Sequence, residues 1–348
     1  MLGPVDNQVL GSSLRAKVRG QVRTDAGTRA LYATDASNYR VPPRAVVLPS
    51  CVDDVYAVVA LCREQGVPLT ARGAGTSIAG NAIGPGVILD FSRHLDSVLE
   101  LDPAARLARV QPGVVLDTLQ AAAAPHGLRF GPDPSSHGRC TIGGMIGNNA
   151  CGTHSIAWGT TAQSVEELVV LLVDGTRLVA GAGQLPSEVG KLERAHRGLI
   201  RNALPDWPRR GSGYALQHLL PEHGSHLGRA LAGTEGTCAV LLEATVRLIE
   251  PPSAMALLVL GYPDVAAAAD AVPGLLPYRP LTLEAMDAAL IEALQAGGRP
   301  VAQLPAGAAW LLVEFGADAM AGADDAAVAA RTAAVDAARP HLVVTDPA

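Results

Sequence analysis

From residue 44 onward, apolar positions fall into short blocks, each of which predicts one strand or one helix. Ala45–Leu48 is a four-residue apolar run of strand character. Pro49 ends it, and Ser50 with Asp53 three residues on has the form of a helix start. Val52, Val55, Val59 and Cys62 then recur at helical spacing as far as Gly66, which suits the position just past a helix end. Residues 67–71 and 87–91 predict two more strands. A second block opens with a strand over 107–111 and a helix over 115–124 that ends near Gly127. Residues 165–173 and 176–180 predict a strand pair joined by the turn Asp174-Gly175.

Residues 181–230 read as a mixed loop and helix excursion, and 239–249 as a long strand. Pro251-Pro252 marks a boundary. Beyond it the pattern restarts, with strands over 256–261 and 310–315, helices over 265–271 and 324–338, and a final strand-like run at His341–Thr345. Residues 1–40 are polar and mixed, an N-terminal extension with some helix.

Composition narrows this picture. Of 348 residues 49% are hydrophobic and 17% charged, so sizeable cores can be buried and two domains accommodated. The net charge of −6 comes without a basic patch, which argues against a nucleic-acid partner. No apolar stretch reaches the roughly 18 residues of a membrane span, and the N-terminus lacks the features of a secretory signal. A cytoplasmic location is the expectation. Five cysteines without framework spacing suit reduced thiols.

Three glycine-rich segments carry the candidate chemistry. The first comprises Arg72, Gly73, Ala74, Gly75, Thr76 and Ser77, and runs on to Gly80. Glycines let backbone N–H groups converge on an anion. The spacing and the strand–helix–strand–loop–strand order differ from a Rossmann unit, and no P-loop string occurs. The second holds Pro132 and Asp133, then Thr141, Gly143, Gly144, Gly147, Asn148, Asn149 and Gly152. It has little bulk with which to build a core, as expected where backbone lies against a large flat ligand. The third is Gly233, Thr234, Glu235 and Gly236. Three such loops on a strand-rich scaffold fit one extended cofactor.

In this order the segments resemble the FAD-binding domain of the vanillyl-alcohol oxidase and p-cresol methylhydroxylase (PCMH) superfamily. Within it they look most like the FAD-linked oxidase branch that includes D-lactate, glycolate-oxidase and D-2-hydroxyglutarate dehydrogenases. The likeness covers about residues 30–250. It implies an α+β fold: a PCMH-type domain of two α/β subdomains, about 41–105 and 106–252, followed by a partial α+β cap over 253–348. Residues 72–77 match the pyrophosphate loop, 132–133 and 141–149 the segment along the diphosphate and isoalloxazine, and 233–236 a third flavin-contacting turn. Residues 209–214 resemble the family's Ser/Thr-Gly-Tyr segment.

The resemblance implies an oxidoreductase that oxidises a small D-2-hydroxy acid by hydride transfer to flavin N5. An electron acceptor, or an iron–sulfur or C-terminal partner chain, would complete it. Thr76 stands where some members tether flavin to histidine, so non-covalent FAD is expected. The family's C-terminal His-rich motif has no counterpart and no C-x-x-C-x-x-C run is present, so the chain is expected to stop short of its catalytic region, and no catalytic residue is assigned. Alternatives are a flavin-binding subunit or fragment that needs a partner, and an O2-using alcohol or sugar oxidase.

Other constellations read as structural. His137, Cys140, Cys151 and His154 have zinc-like spacing but flank the second glycine segment as small polar fillers. Pro221 interrupts the His218, Glu222, His223 string. Glu235 is expected to satisfy turn amides with its carboxylate, and Cys62 to lie in the core.

Overall fold

The computed structural model describes residues 6–183, 185–204, 207, 213–317, 330 and 339–345. The chain divides into two compact units. One holds residues up to Cys151 together with Thr160–Ile249, and the other holds Gly152–Gly159 with the residues from Glu250 onward.

The first unit contains two sheets. Its first sheet has the order β1-β2-β4-β3: Gln21–Arg23, Ala45–Leu48, Val87–Asp90 and Leu69–Arg72. β2 and β3 both pair parallel with β4, and β1 pairs antiparallel with β2. Helix α1 (Asn7–Arg15) brings Leu10 and Leu14 into this sheet's core, α2 (Ala26–Leu31) follows β1, and α3 (Val52–Gln65) joins β2 to β3. Residues 7–31 therefore belong to the folded unit rather than to an extension. Val22 alternates inward between polar neighbours, which is a short strand's signature.

On α3 the buried residues include Val55, Val58, Val59 and Cys62, each apolar side chain contributing on the order of 1.5–3 kcal/mol. Gly66 ends the helix in the left-handed region, as its position predicted. The expected Ser50 cap is corrected. Cys51 is the cap residue without a side-chain bond, because the Ser50 hydroxyl donates to Asp54.

The second sheet has the path β5-β6-β10-β8-β9: Val98–Asp102, Leu107–Val110, Val240–Ile249, Val165–Leu171 and Arg177–Ala180, with β7 (Arg129–Phe130) also on β10. Helices α4 (Leu116–Ala123), α5 (Ile142–Asn148), α7 (Thr161–Ser164), α8 (Ser187–Ala203) and α9 (Leu227–Leu231) complete the unit, and α6 (Ser155–Trp158) belongs to the other. β8 is buried on both faces. Leu168 and Val170 enter this sheet's core, while Val169 and Leu171 enter the core of the first sheet.

The second glycine segment departs from its expectation of a core-poor stretch. Residues 142–148 form α5, which buries Ile142, Met145 and Ile146 at i, i+3 and i+4. The Thr141 hydroxyl caps it by accepting from the Gly144 N–H at 3.2 Å.

The second unit is a four-stranded antiparallel sheet ordered β12-β13-β11-β14: Thr282–Asp287, Ala309–Ala317, Ala254–Tyr262 and His341–Thr345. α10 (Val265–Leu275) places Ala268 and Leu275 in its core, and α11 (Ala288–Ala296) follows β12. The helix expected over 324–338 lies outside the described residues apart from Ala330.

Candidate functional site

The first glycine segment begins where β3 ends, at the carboxyl edge of the parallel strands, which is where open α/β sheets bind ligands. It meets the second segment directly. A Cβ on Gly73 would lie 2.1 Å from Thr141 Oγ1, and one on Gly143 would lie 2.8 Å from the Pro112 carbonyl. Only glycine leaves room for the Thr141 side chain at the first position and the Pro112 backbone at the second.

Together they wall an open cleft on the first unit. Arg72, Gly73, Ala74, Gly75, Thr76, Ser77, Thr141, Gly143, Gly144, Gly147, Asn148, Glu235 and Gly236 all line it. Its apolar surface comes from Phe91, Ile146, Leu168, Val170, Leu231 and Leu241.

Among the described residues, the backbone N–H groups of Gly73, Ala74, Gly75, Thr76 and Ser77 donate to no acceptor in the protein. This is the anion-binding capacity of the site. The start of α5 offers none, because its amides are taken: Ile142 donates to the Val114 carbonyl, Gly143 to that of Pro112 and Gly144 to Thr141 Oγ1. The third segment closes the other end of α5. The Gly233 N–H donates to the Ile146 carbonyl and the Glu235 N–H to that of Gly147, each at 2.9 Å, which satisfies carbonyls a short helix leaves open.

Arg72 acts from beneath its loop. Its Nη1 donates to the carbonyls of Thr34 and Ala82 at 3.0 Å each, and the guanidinium lies 5.0 Å over the Tyr32 ring. Tyr32 in turn donates to the buried carboxylate of Asp90. Burial, then that bond to Asp90, pushes the Tyr32 phenol well above its ordinary value. Asp35 anchors the same loop by accepting from the Ala82 N–H. Partial burial pushes its carboxyl up. The bonds from Ser37 and Ala82 and the charge of Arg72 outweigh that and hold it below the usual value.

The remaining sequence candidates lie elsewhere. Pro132 is buried, and Asp133 pairs with Arg129 at 3.7 Å. Asn149 is a buried structural residue whose Oδ1 accepts from the Ala162 N–H, and a Cβ on Gly233 would meet its side chain at 3.2 Å. Gly152 belongs to the second unit, where its N–H donates to Ser155 Oγ. Residues 209–212 lie outside the described residues. Tyr214 bonds the Thr237 hydroxyl at 2.6 Å.

The Glu235 expectation is corrected. Its carboxylate bonds no turn amide among the described residues; its backbone N–H, with φ at +57°, donates to the Gly147 carbonyl instead. The zinc-like residues separate too: His137 pairs with Asp117 at 2.8 Å, and His154 pairs with Glu314 at 2.7 Å while stacking on Trp158. Asn81 and the strand residues of the cleft were not anticipated. Core-facing apolar residues give no separate signal of lining a ligand.

A glycine-walled cleft with acceptor-free amides at the edge of parallel strands offers the donors that an extended anionic cofactor would need. Residues 43–181 match the family described as FAD binding domain. The expected likeness to FAD-linked oxidases and dehydrogenases is met by curated relatives. D-2-hydroxyglutarate dehydrogenase of Pseudomonas putida is 36% identical over 293 residues, 78% of this chain and 29% of that protein. Glycolate oxidase subunit GlcD of Escherichia coli is 31% identical over 300 residues, 84% of this chain and 53% of that protein. D-lactate dehydrogenase of Archaeoglobus fulgidus is 32% identical over 269 residues, 75% of this chain and 52% of that protein. The chain thus spans between under a third and about half of the length of these relatives. The fold is shared with a solved alkyldihydroxyacetonephosphate synthase, at a TM-score of 0.69 and 17% identity, over 94% of this chain and 60% of that one.

The residues present fit FAD: amides for a diphosphate, glycines where a Cβ would intrude, and an apolar wall for a flat ring. Arg72→Lys is expected to weaken FAD binding about tenfold, because lysine keeps the charge but loses the planar guanidinium whose Nη1 holds two carbonyls while its face lies over Tyr32. A fluorescence titration reads this, and unchanged affinity would show that the guanidinium does not shape the loop.

Proposed function

We propose that this chain binds FAD non-covalently and serves the oxidation of a small D-2-hydroxy acid of the D-lactate, glycolate or D-2-hydroxyglutarate type. The row of acceptor-free amides from Gly73 to Ser77 carries the reading. Bound FAD would supply the hydride acceptor, at flavin N5, for the substrate's α-carbon.

The chain's own groups hold and orient the cofactor. Amide dipoles offset the diphosphate charge without spending a side-chain cation. Leu168, Val170 and Leu241 offer an apolar surface that excludes water from a ring. Thr76 has no nucleophilic ring nitrogen, which favours dissociable flavin. The substrate class rests on the names of the curated relatives, and the electrons would pass to a separate acceptor or partner chain. A second reading, a flavin-binding subunit that turns over only with a partner, is favoured by the name of one curated relative, a glycolate oxidase subunit.

The absorbance spectrum of the purified chain, before and after heat release and filtration, tests the first part. Flavin bands that move into the filtrate are expected. Their absence even after FAD is added to folded protein would sink the reading. Dye reduction with each of the three acids then separates the enzyme, which turns over, from the subunit, which binds flavin but does not.

A further inference from the structure

We propose that Asn81 is a positioning residue of the cleft, a clasp that ties the first glycine segment to the end of α5 and so sets the spacing on which cofactor affinity depends. The proposal rests on the reading of the cleft as an FAD site. Asn81 lies beyond the glycine motif in the sequence, yet its side-chain amide is used at both ends. Its Nδ2 donates to Asn148 Oδ1 at 3.0 Å, and its Oδ1 accepts from Ser77 Oγ at 3.1 Å. The Ser77 hydroxyl oxygen accepts in turn from the Ala79 N–H at 3.2 Å, which folds the loop tip onto the same chain of bonds. Asn81, Ser77 and Asn148 all line the cleft.

The two walls therefore meet at two separate points. One is the packing of the Gly73 backbone against the Thr141 side chain, and the other is this side-chain bridge. Between them the acceptor-free amides of Gly73 to Ser77 run along one wall, and Gly144 and Gly147 line the other. A ligand that spans both walls gains affinity when their separation is fixed before it arrives, since less ordering is left to binding. The bridge joins parts of the chain 67 residues apart. It is solvent-accessible, so it contributes little to the stability of the fold itself. Its chemistry is specific: one planar group must accept on one side and donate on the other, which alanine, serine and leucine cannot do.

The test is a double-mutant cycle in FAD affinity and dissociation rate, read by recovery of flavin fluorescence on the full chain. Asn81→Ala and Asn148→Ala are each expected to weaken binding about five- to tenfold, chiefly through faster dissociation. The double variant should match either single one, because both remove the same bond. Thermal unfolding of the cofactor-free variants should stay within a few degrees of the unaltered protein, which separates positioning from loss of fold. Additive effects would mean that the two side chains touch the cofactor independently and would overturn the clasp. So would an unchanged Asn81→Ala affinity. Failure of the unaltered chain to bind FAD would overturn the proposed function and the clasp together, whereas normal binding with a silent cycle overturns the clasp alone. Should Asn81→Ala not fold, Asn148→Ala, at the other end of the bond, carries the test.

Discussion

Gly147→Leu is expected to abolish measurable FAD binding, by roughly 100-fold or more, while leaving the cofactor-free protein folded. Gly147 sits on α5 with its face in the cleft, and a Cβ built there meets no atom within 4 Å. The new side chain would therefore fill cleft rather than core. An ordinary helix former also replaces a glycine inside a helix, which favours the helix by about 1 kcal/mol. The variant should thus be no less heat-stable than the parent and yet bind no flavin. Titration of apo protein with FAD, beside thermal unfolding, reads both quantities. Retained binding would place the cofactor somewhere other than this cleft.

Asp54→Ala is expected to cost roughly 3 kcal/mol of stability, because it strands several donors at once. The Asp54 carboxylate is 1% exposed and accepts from the N–H groups of Arg19, Gly20 and Ser50 and from the Ser50 hydroxyl, at 2.7–2.9 Å. These bonds tie the approach to β1 onto the start of α3. Burial pushes its carboxyl up, but the Arg19, Ser50 and Gly20 bonds prevail and hold it below the ordinary value. A depressed carboxyl stabilises the fold above the unfolded-state value of about 3.9. That contribution fades as pH falls through the lower folded value. Asp54→Asn should therefore be less stable near neutrality and lose less stability on acidification than the parent. Parallel acid-unfolding curves for the two proteins would refute this account.

The elements that the sequence made legible are those whose local preference and burial agree. β2, α3, β10 and β13 carry strong apolar periods bounded by proline or glycine, and tertiary packing only confirmed them. β12 was missed because Leu283, Glu284, Ala285 and Met286 favour helix, and pairing with β13 overrides that preference. β5 exposes both faces of a sheet edge and so shows no alternation. α5 hid behind Gly143, Gly144 and Gly147, although Ile142, Met145 and Ile146 already had helical spacing. The glycine walls of the cleft were legible as composition. The bridge through Asn81, the commitment of Arg72 to carbonyls and the mutual capping of α5 and residues 233–236 were not. Each depends on which residues distant in sequence become neighbours.

β10 gives the assembly of this domain a direction in time. Its ten residues lie between β6 and β8, which without it would both present open edges. The chain leaves the ribosome with β6 some 130 residues before its partner is made, a separation that slows closure and leaves strand edges exposed meanwhile. The same late segment brings Thr234, Glu235, Gly236, Ala239 and Leu241 to the cleft. The cleft is thus finished by the last stretch of its own domain to be synthesised, and a nascent chain halted before residue 234 carries two glycine walls without the turn and strand that complete the lining.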